Sequence, residues 1–264
     1  MELYHFGFST CSQKVRLVLA EKGLEFTSHE VNLITGEQHD PEYVKLNPKH
    51  VVPTLVHDGH VLVESTLIIR YLDDAFPDPP LRPADALARY RDERWLAHAD
   101  DVLHPAAPIV TFALGPRLAL LAQPEEVREA NIAGIPDPQA RAVRRSVIEH
   151  GVEAPEFGAA LRVFVDTLDA MERDLAARPW LSGEAAGLAD ATLLPYVLRV
   201  EHLAMDPLFA DRPRVADWFD RWKRRPSYDT AIEAWLLPPA VEMMRTNGKD
   251  AWPDVARIAS DTVA

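Results

Sequence analysis

Phe8-Ser9-Thr10-Cys11-Ser12-Gln13-Lys14-Val15-Arg16 is the stretch on which the reading of this chain turns. A short strand-like run, Glu2 to Phe6, and then Gly7 precede it. A helix opens inside the stretch and runs to about Lys22, where Gly23 stops it. Val15, Val18 and Leu19 stand at i, i+3 and i+4 and form a face fit for burial. Thr10 and Gln13 have the spacing of a capping box. Small hydroxyl residues therefore stand where a strand hands over to a helix N-terminus. Such a terminus presents unpaired N–H groups and a partial positive charge, so it favours an anion. A thiolate held there has a depressed pKa. A hydroxyl donor adds a charge-assisted bond of roughly 1.5–3 kcal/mol, and the helix end adds about 0.3–1 kcal/mol. Lowering a thiol pKa by about two units takes about 2.7 kcal/mol, so one hydroxyl and one helix end suffice. Read alone, Ser9 is an ordinary cap; the next sixty residues change that.

Glu25 to Asn32 reads as a second strand, followed by the polar loop Thr35-Gly36-Glu37-Gln38-His39-Asp40-Pro41 and a short helix over Glu42 to Leu46. Two β-rich runs, Val51 to His57 and His60 to Val63, flank Asp58-Gly59, a strong hairpin signal. Pro53 cannot donate to a strand ladder, so it needs an edge position or a cis bond. Glu64-Ser65-Thr66 opens a helix that ends near Phe76-Pro77. The order βαβ, then ββα, makes a small α/β unit. Asp78-Pro79-Pro80-Leu81-Arg82-Pro83 is a stiff linker. Beyond it the period is helical: Ala84 to about Leu103, interrupted by Pro105 and Pro108, then Ile109 to Leu121 with a break at Gly115-Pro116. An irregular Pro124 to Pro155 follows. A buried seam comes next, carried by Leu161, Phe164, Leu168, Met171 and Leu175. Asp190 to Leu203 reads as a central apolar helix, Val215 to Lys223 as a short amphipathic one. One more helix is expected after Trp235, with the last few residues loose. The domains are therefore 1–77, α/β; 78–86, linker; and 87–264, an all-α bundle.

The net charge of −13 argues against nucleic acid or an anionic membrane as partner. An anionic substrate then needs a local positive site. Cys11 is the one cysteine, so no internal disulfide forms and a reducing compartment is expected. No apolar run reaches a membrane span and Met1-Glu2-Leu3 opens no signal peptide, so the expected location is cytoplasmic.

Ser9-Thr10-Cys11-Ser12 with Val15-Arg16 resembles the serine-type active-site turn of zeta and theta glutathione transferases. Val51-Val52-Pro53-Thr54-Leu55 resembles the family's cis-proline loop. Glu64-Ser65-Thr66 with Ile69-Arg70-Tyr71-Leu72 resembles its γ-glutamyl-binding turn and helix, and Gly187-Leu188-Ala189-Asp190 its buried capping box. The set runs in family order over both domains. It implies the cytosolic glutathione transferase architecture: an α/β, thioredoxin-like N-terminal domain and an all-α C-terminal bundle. Leu81-Arg82-Pro83-Ala84-Asp85 and Ile135-Pro136-Asp137-Pro138 further resemble bacterial β-etherase-type transferases of lignin breakdown.

The resemblance implies glutathione as co-substrate, a hydrophobic electrophile, a homodimer and a role of the detoxification type. Ser9 becomes the donor that activates the glutathione thiol, with Thr10, Cys11 and Ser12 as runners-up. Val52, before Pro53, pairs with the cysteinyl backbone. Ser65 holds the γ-glutamyl carboxylate and Glu64 the ammonium. Gln38, His39, Lys49 and His50 are candidates for the glycyl end. Phe8, Tyr90, Arg94, His98, Asp101 and His104 are candidates for the electrophile pocket. His98, Asp101 and His104, at i, i+3 and i+6, read as a polar helix face rather than a metal site. The sequence departs from the pattern at Gly187, where the family often has Ser or Thr, and at Val51, where a polar residue often meets the glycyl part. Two rival readings stand beside this one: thiol–disulfide exchange through Cys11, and a non-catalytic binding module on the same fold.

Overall fold

The computed structural model describes residues 1–261. The elements run β1 (Glu2–His5), α1 (Thr10–Glu21), β2 (Thr27–Glu30), α2 (Pro41–Leu46), β3 (Thr54–His57), β4 (His60–Leu62) and α3 (Ser65–Ala75). There follow α4 (Ala86–His98), α5 (His104–Leu114), α6 (Arg117–Leu121), α7 (Glu125–Ala133), α8 (Pro138–His150) and α9 (Phe157–Asp174). The chain closes with α10 (Leu188–His202), α11 (Pro213–Lys223), α12 (Pro226–Ala231) and α13 (Pro238–Asp261). The end expected to be loose, residues 262–264, lies outside the described residues.

The chain folds into two compact units. The first comprises Met1–Ala97, Ala177–Pro195 and Asp217–Leu237. Its sheet has the order β2-β1-β3-β4, with β1 parallel to β2 and antiparallel to β3. Asp58 (φ 50°) and Gly59 (φ 77°) form the tight turn between β3 and β4 that Asp-Gly signals. The Val52–Pro53 peptide is cis, and β3 lies inside the sheet, so the edge-strand alternative for Pro53 falls away. The loop before α2 contains a short 3-10 turn, Glu37–His39. The linker is pinned from below: buried Lys22 donates from Nζ to the carbonyls of Phe76 (2.7 Å) and Pro79 (2.9 Å), and pairs with Asp73.

The capping box read at Thr10 and Gln13 is corrected. Ser9 is the N-cap of α1, its Oγ accepting from the Ser12 N–H. The Gln13 amide instead donates to the Gly7 carbonyl at 3.1 Å. The N-cap must have extended backbone, and Ser9 has it (φ −71°, ψ 120°), whereas Thr10 is already helical.

The second unit comprises His98–Ala176, Tyr196–Ala216 and Pro238–Ala264. In it α5 packs against α8 and α9, and α13 against both α5 and α9. Leu161, Phe164, Leu168 and Met171 form the buried seam of α9 that their spacing indicates. Pro105 and Pro108 do not interrupt the helix, contrary to expectation. Ala99–Leu103 forms a wide π-type turn in which His104 N–H bonds the Ala99 carbonyl, one residue beyond the α register. Pro105 then falls in the first turn of α5, where its missing N–H is not needed. The stretch 124–155 is also more regular than its prolines suggest. Asp137 caps α8 by accepting from Gln139 and Ala140, with Pro138 at the first helical position. Among the described residues no helix is long and apolar enough to cross a membrane.

Candidate active site

The turn between β1 and α1 carries Ser9. Ser9 N–H bonds the Phe6 carbonyl at 3.1 Å and closes the turn. Ser9 Oγ accepts from Ser12 N–H at 3.2 Å, which uses a lone pair and leaves the hydroxyl hydrogen to donate elsewhere. Ser9 is half-buried. Its runners-up are placed differently: Ser12 is fully buried with Oγ accepting from Phe6 N–H, Thr10 is buried, and Cys11 is partly exposed.

Glu64 has φ 67° and ψ 104°, a strained conformation for a residue with a side chain, costing about 1–3 kcal/mol. It stands immediately before α3, so buried Ser65 sits at the helix start, where backbone N–H groups lack helical acceptors. Glu64 Oε1 accepts from Lys49 Nζ at 2.5 Å. Both side chains are exposed, and an ion pair of that kind is worth about 0–1 kcal/mol. Each partner can therefore exchange the other for a charged ligand group at little cost.

Beside Lys49 runs a chain of three side chains. The Gln38 amide donates to His39 Nε2 at 3.1 Å, so the His39 proton sits on Nδ1 and is donated to His50 Nδ1 at 3.0 Å. The His50 proton then sits on Nε2. Partial burial, followed by the neighbouring His50, pulls the His39 pKa below its usual value. The structure thus joins Gln38, His39 and His50 in one chain and Lys49 with Glu64 in a separate pair, with Ser65 following Glu64 at the start of α3.

The cis-proline loop is held by α2. Tyr43 Oη and Asn47 Nδ2 both donate to the Val51 carbonyl, at 2.7 and 2.9 Å, and both reach Thr54 Oγ1. The Val51 side chain is exposed. Val52 is buried with Phe6, Val31 and Tyr43, with Phe8 packed on the cluster. Among the described residues no hydrogen bond reaches the Val52 backbone N–H or carbonyl. Tyr43 and Asn47 escaped the sequence reading. The signal the sequence offered was Asn47-Pro48, immediately after α2.

The electrophile-pocket candidates do not form one α-helical face. His98 ends α4, Asp101 lies exposed in the π-type turn, and His104 begins α5, so the wide turn breaks the i, i+3, i+6 register. His98 Nε2 bonds Thr167 Oγ1 at 2.8 Å and His104 Nδ1 bonds the Tyr196 hydroxyl at 3.1 Å. Tyr90 and Arg94 are exposed on α4, one helical turn apart.

The most consequential group missed is Arg16. A charge inside the apolar run Val15 to Ala20 was its signal. It is 1% exposed and lies directly under the turn. Its guanidinium donates to the carbonyls of Phe6 (3.3 Å), Gly7 (3.0 Å) and Ala231 (2.7 Å) and to His5 Nδ1 (3.0 Å). Burial, then the Arg16 charge, lowers the His5 pKa to about 3, so His5 is neutral and accepts from Arg16.

Residues 3–80 match the glutathione S-transferase N-terminal domain and residues 126–221 the glutathione S-transferase C-terminal domain. Glutathione S-transferase 3 of Zea mays is 31% identical over 243 residues, 90% of this chain and 96% of that protein. The tetrachloro-p-hydroquinone reductive dehalogenase of Sphingobium chlorophenolicum is 29% identical over 244 residues, 88% of this chain and 95% of that protein. The crystal structure of beta-etherase LigF from Sphingobium sp. strain SYK-6 superposes with a TM-score of 0.78 at 28% identity, covering 88% of this chain and 98% of that one.

Proposed function

Because the chain belongs to the glutathione S-transferase family, with glutathione as its co-substrate, we propose that Ser9 holds the glutathione sulfur as a thiolate for attack on a hydrophobic electrophile. Glutathione lies along residues 1–77, and the all-α domain 87–264 supplies the electrophile pocket. The γ-glutamyl carboxylate takes the Ser65 hydroxyl and the N–H groups at the start of α3, and the ammonium takes Glu64. The cysteinyl unit pairs with the Val52 N–H and carbonyl like an added strand. The glycyl carboxylate takes Lys49, once Lys49 has released Glu64, and the His50 Nε2–H that the Gln38–His39 chain leaves outward.

The thiol proton leaves to solvent as the thiolate forms. The thiolate then attacks carbon, a C–S bond forms, and a halide or an alkoxide or phenoxide leaves with its electron pair; simple conjugation needs no leaving group. Conjugation, dehalogenation and thiolytic ether cleavage share this first step. The likeness to the beta-etherase LigF makes an ether the first electrophile to try.

The observation that supports the reading is the Ser9 hydroxyl, which accepts one bond as helix cap and so has a hydrogen left to donate. Ultraviolet difference titration of bound glutathione tests it. The expected result is a thiol pKa well below about 8.5, the free cysteine value, in the wild type and a rise of one unit or more in Ser9→Ala. A Ser9→Ala variant with unchanged thiol pKa and turnover would pass the role to Cys11 or Ser12.

A further inference from the structure

Arg16 is buried without an ion-pair partner. Among the described residues no carboxylate lies within salt-bridge distance of it, and its acceptors are three backbone carbonyls and a neutral imidazole. Burial pulls the Arg16 pKa down to about 9, against the opposing effect of Glu30 on the exposed edge strand β2. An uncompensated buried cation is costly, and neutral hydrogen bonds offset only part of that cost. A packed apolar side chain would fill the same space more cheaply.

Its bonds converge on the turn that carries Ser9. The Phe6 carbonyl accepts from both Ser9 N–H and Arg16 Nη1, so one oxygen ties the two residues. The Gly7 carbonyl accepts from Arg16 Nη2 and from Gln13. On its other side Arg16 bonds the Ala231 carbonyl and stacks on Trp235 at 5.4 Å. Gly7 presses on the same segment: a Cβ there would lie 2.2 Å from the Trp235 carbonyl oxygen. The catalytic turn is thus clamped between α1 and residues 231–235, with a full positive charge at the clamp.

We propose that Arg16 is a positioning residue whose uncompensated guanidinium both fixes the Phe6–Ser9 turn and favours the anionic form of a thiol held at Ser9. The proposal rests on the glutathione reading of Ser9 and adds a second source of charge stabilisation to it. It also supplies the local positive site that a chain of net charge −13 needs for an anionic substrate. In a desolvated setting a charge acts at a distance where a surface charge is screened.

Full-length Arg16→Lys and Arg16→Gln separate charge from geometry. Lys keeps the charge without the fork; Gln keeps one donor without the charge. The readout is the pKa of the bound glutathione thiol, with glutathione affinity and denaturant stability measured in parallel. Arg16→Gln is expected to raise the thiol pKa by about one unit, with Arg16→Lys restoring most of it, while affinity at low pH changes less than about twofold. Wild-type pKa values in both variants, or equal rises in both, overturn the proposal. His5→Asn and His5→Asp keep Arg16 in place and repeat the test should the Arg16 variants not fold. Asp supplies a counter-ion and is expected to raise the thiol pKa, Asn to leave it; equal values overturn the proposal. A wild type whose bound thiol already titrates near about 8.5 would instead sink the underlying glutathione reading.

Discussion

Asp92 on α4 is fully buried, and its Oδ1 accepts from the Ser182 hydroxyl (2.5 Å) and the Ala189 N–H (3.1 Å), while Oδ2 has no hydrogen-bond partner. Burial raises its pKa to about 6, against the pull of those two donors. An unfolded aspartate titrates near about 3.9. The folded state therefore binds the proton more tightly than the unfolded one. This contribution is fully present below about pH 4 and is lost as pH rises through 6. A tenfold difference in proton affinity is worth about 1.4 kcal/mol, so the loss comes to roughly 3 kcal/mol in all. Asp92→Asn, a permanent mimic of the protonated carboxyl, is expected to unfold at higher denaturant than wild type at pH 7.5 and to match it at pH 4. Curves for the two proteins that stay parallel from pH 4 to 8 would show that Asp92 does not titrate in this range. Ser9 shows the other side of reading single residues. Its capping role was legible because a small hydroxyl between a strand and an apolar helix signals an N-cap. Arg16 and Asp92 were not, because a charged residue in a helical pattern gives no sign of being buried until its non-local neighbours are known.

At the scale of elements, local chemistry was legible and long-range chemistry was not. Asp-Gly fixed the β3–β4 turn, and the Ser9 and Glu64 regions opened α1 and α3 where read. Pro105 misled because a π-type turn upstream changes the register, which no local propensity announces, and Pro108 sits inside α5 all the same. The start of α10 is the sharpest case. Gly187 stands where a hydroxyl usually caps, and the sequence leaves only Asp190 to serve. Asp190 indeed gathers the N–H groups of Leu181, Ser182 and Gly187 and the Trp218 indole. The absent hydroxyl is replaced from elsewhere: Ala189 N–H donates to Ser182 Oγ and Asp92. Gly187 itself is enforced by space, since a Cβ would lie 2.4 Å from the Leu81 carbonyl oxygen and 2.6 Å from Ser182 Oγ. That carbonyl is already held by Leu188 N–H at 2.9 Å. Gly187→Ser, which restores the commoner cap, is therefore expected to destabilise the protein by roughly 2–4 kcal/mol through overpacking and the lost hydrogen bond. Equilibrium denaturation measures this, and a neutral or stabilising result would show that the 81–82 segment yields freely.

At the scale of the whole molecule, a net charge of −13 opposes an anionic tripeptide that the site must attract. A unit negative charge about 25 Å from the centre of such a body meets roughly 2 kcal/mol of repulsion in unscreened water. The Debye length falls from about 30 Å at 0.01 M to about 8 Å at 0.15 M, so salt removes most of that repulsion. The attractive groups act differently. Arg16 is buried and screened little, and the start of α3 acts within its first turn. Lys49, exposed and paired with Glu64, is neutralised by that pair. Raising ionic strength from about 0.01 to 0.15 M is therefore expected to raise kcat/KM for glutathione by about two- to fivefold. The gain should come through KM, with kcat and the bound-thiol pKa nearly constant, because the thiolate is held by short-range contacts. Initial rates against glutathione concentration, at saturating neutral electrophile in potassium chloride, provide the measurement. A fall in kcat/KM with salt would mean that exposed cations such as Lys49 outweigh the net charge at long range. A salt-dependent thiol pKa would place the stabilising charge at the surface rather than on Arg16.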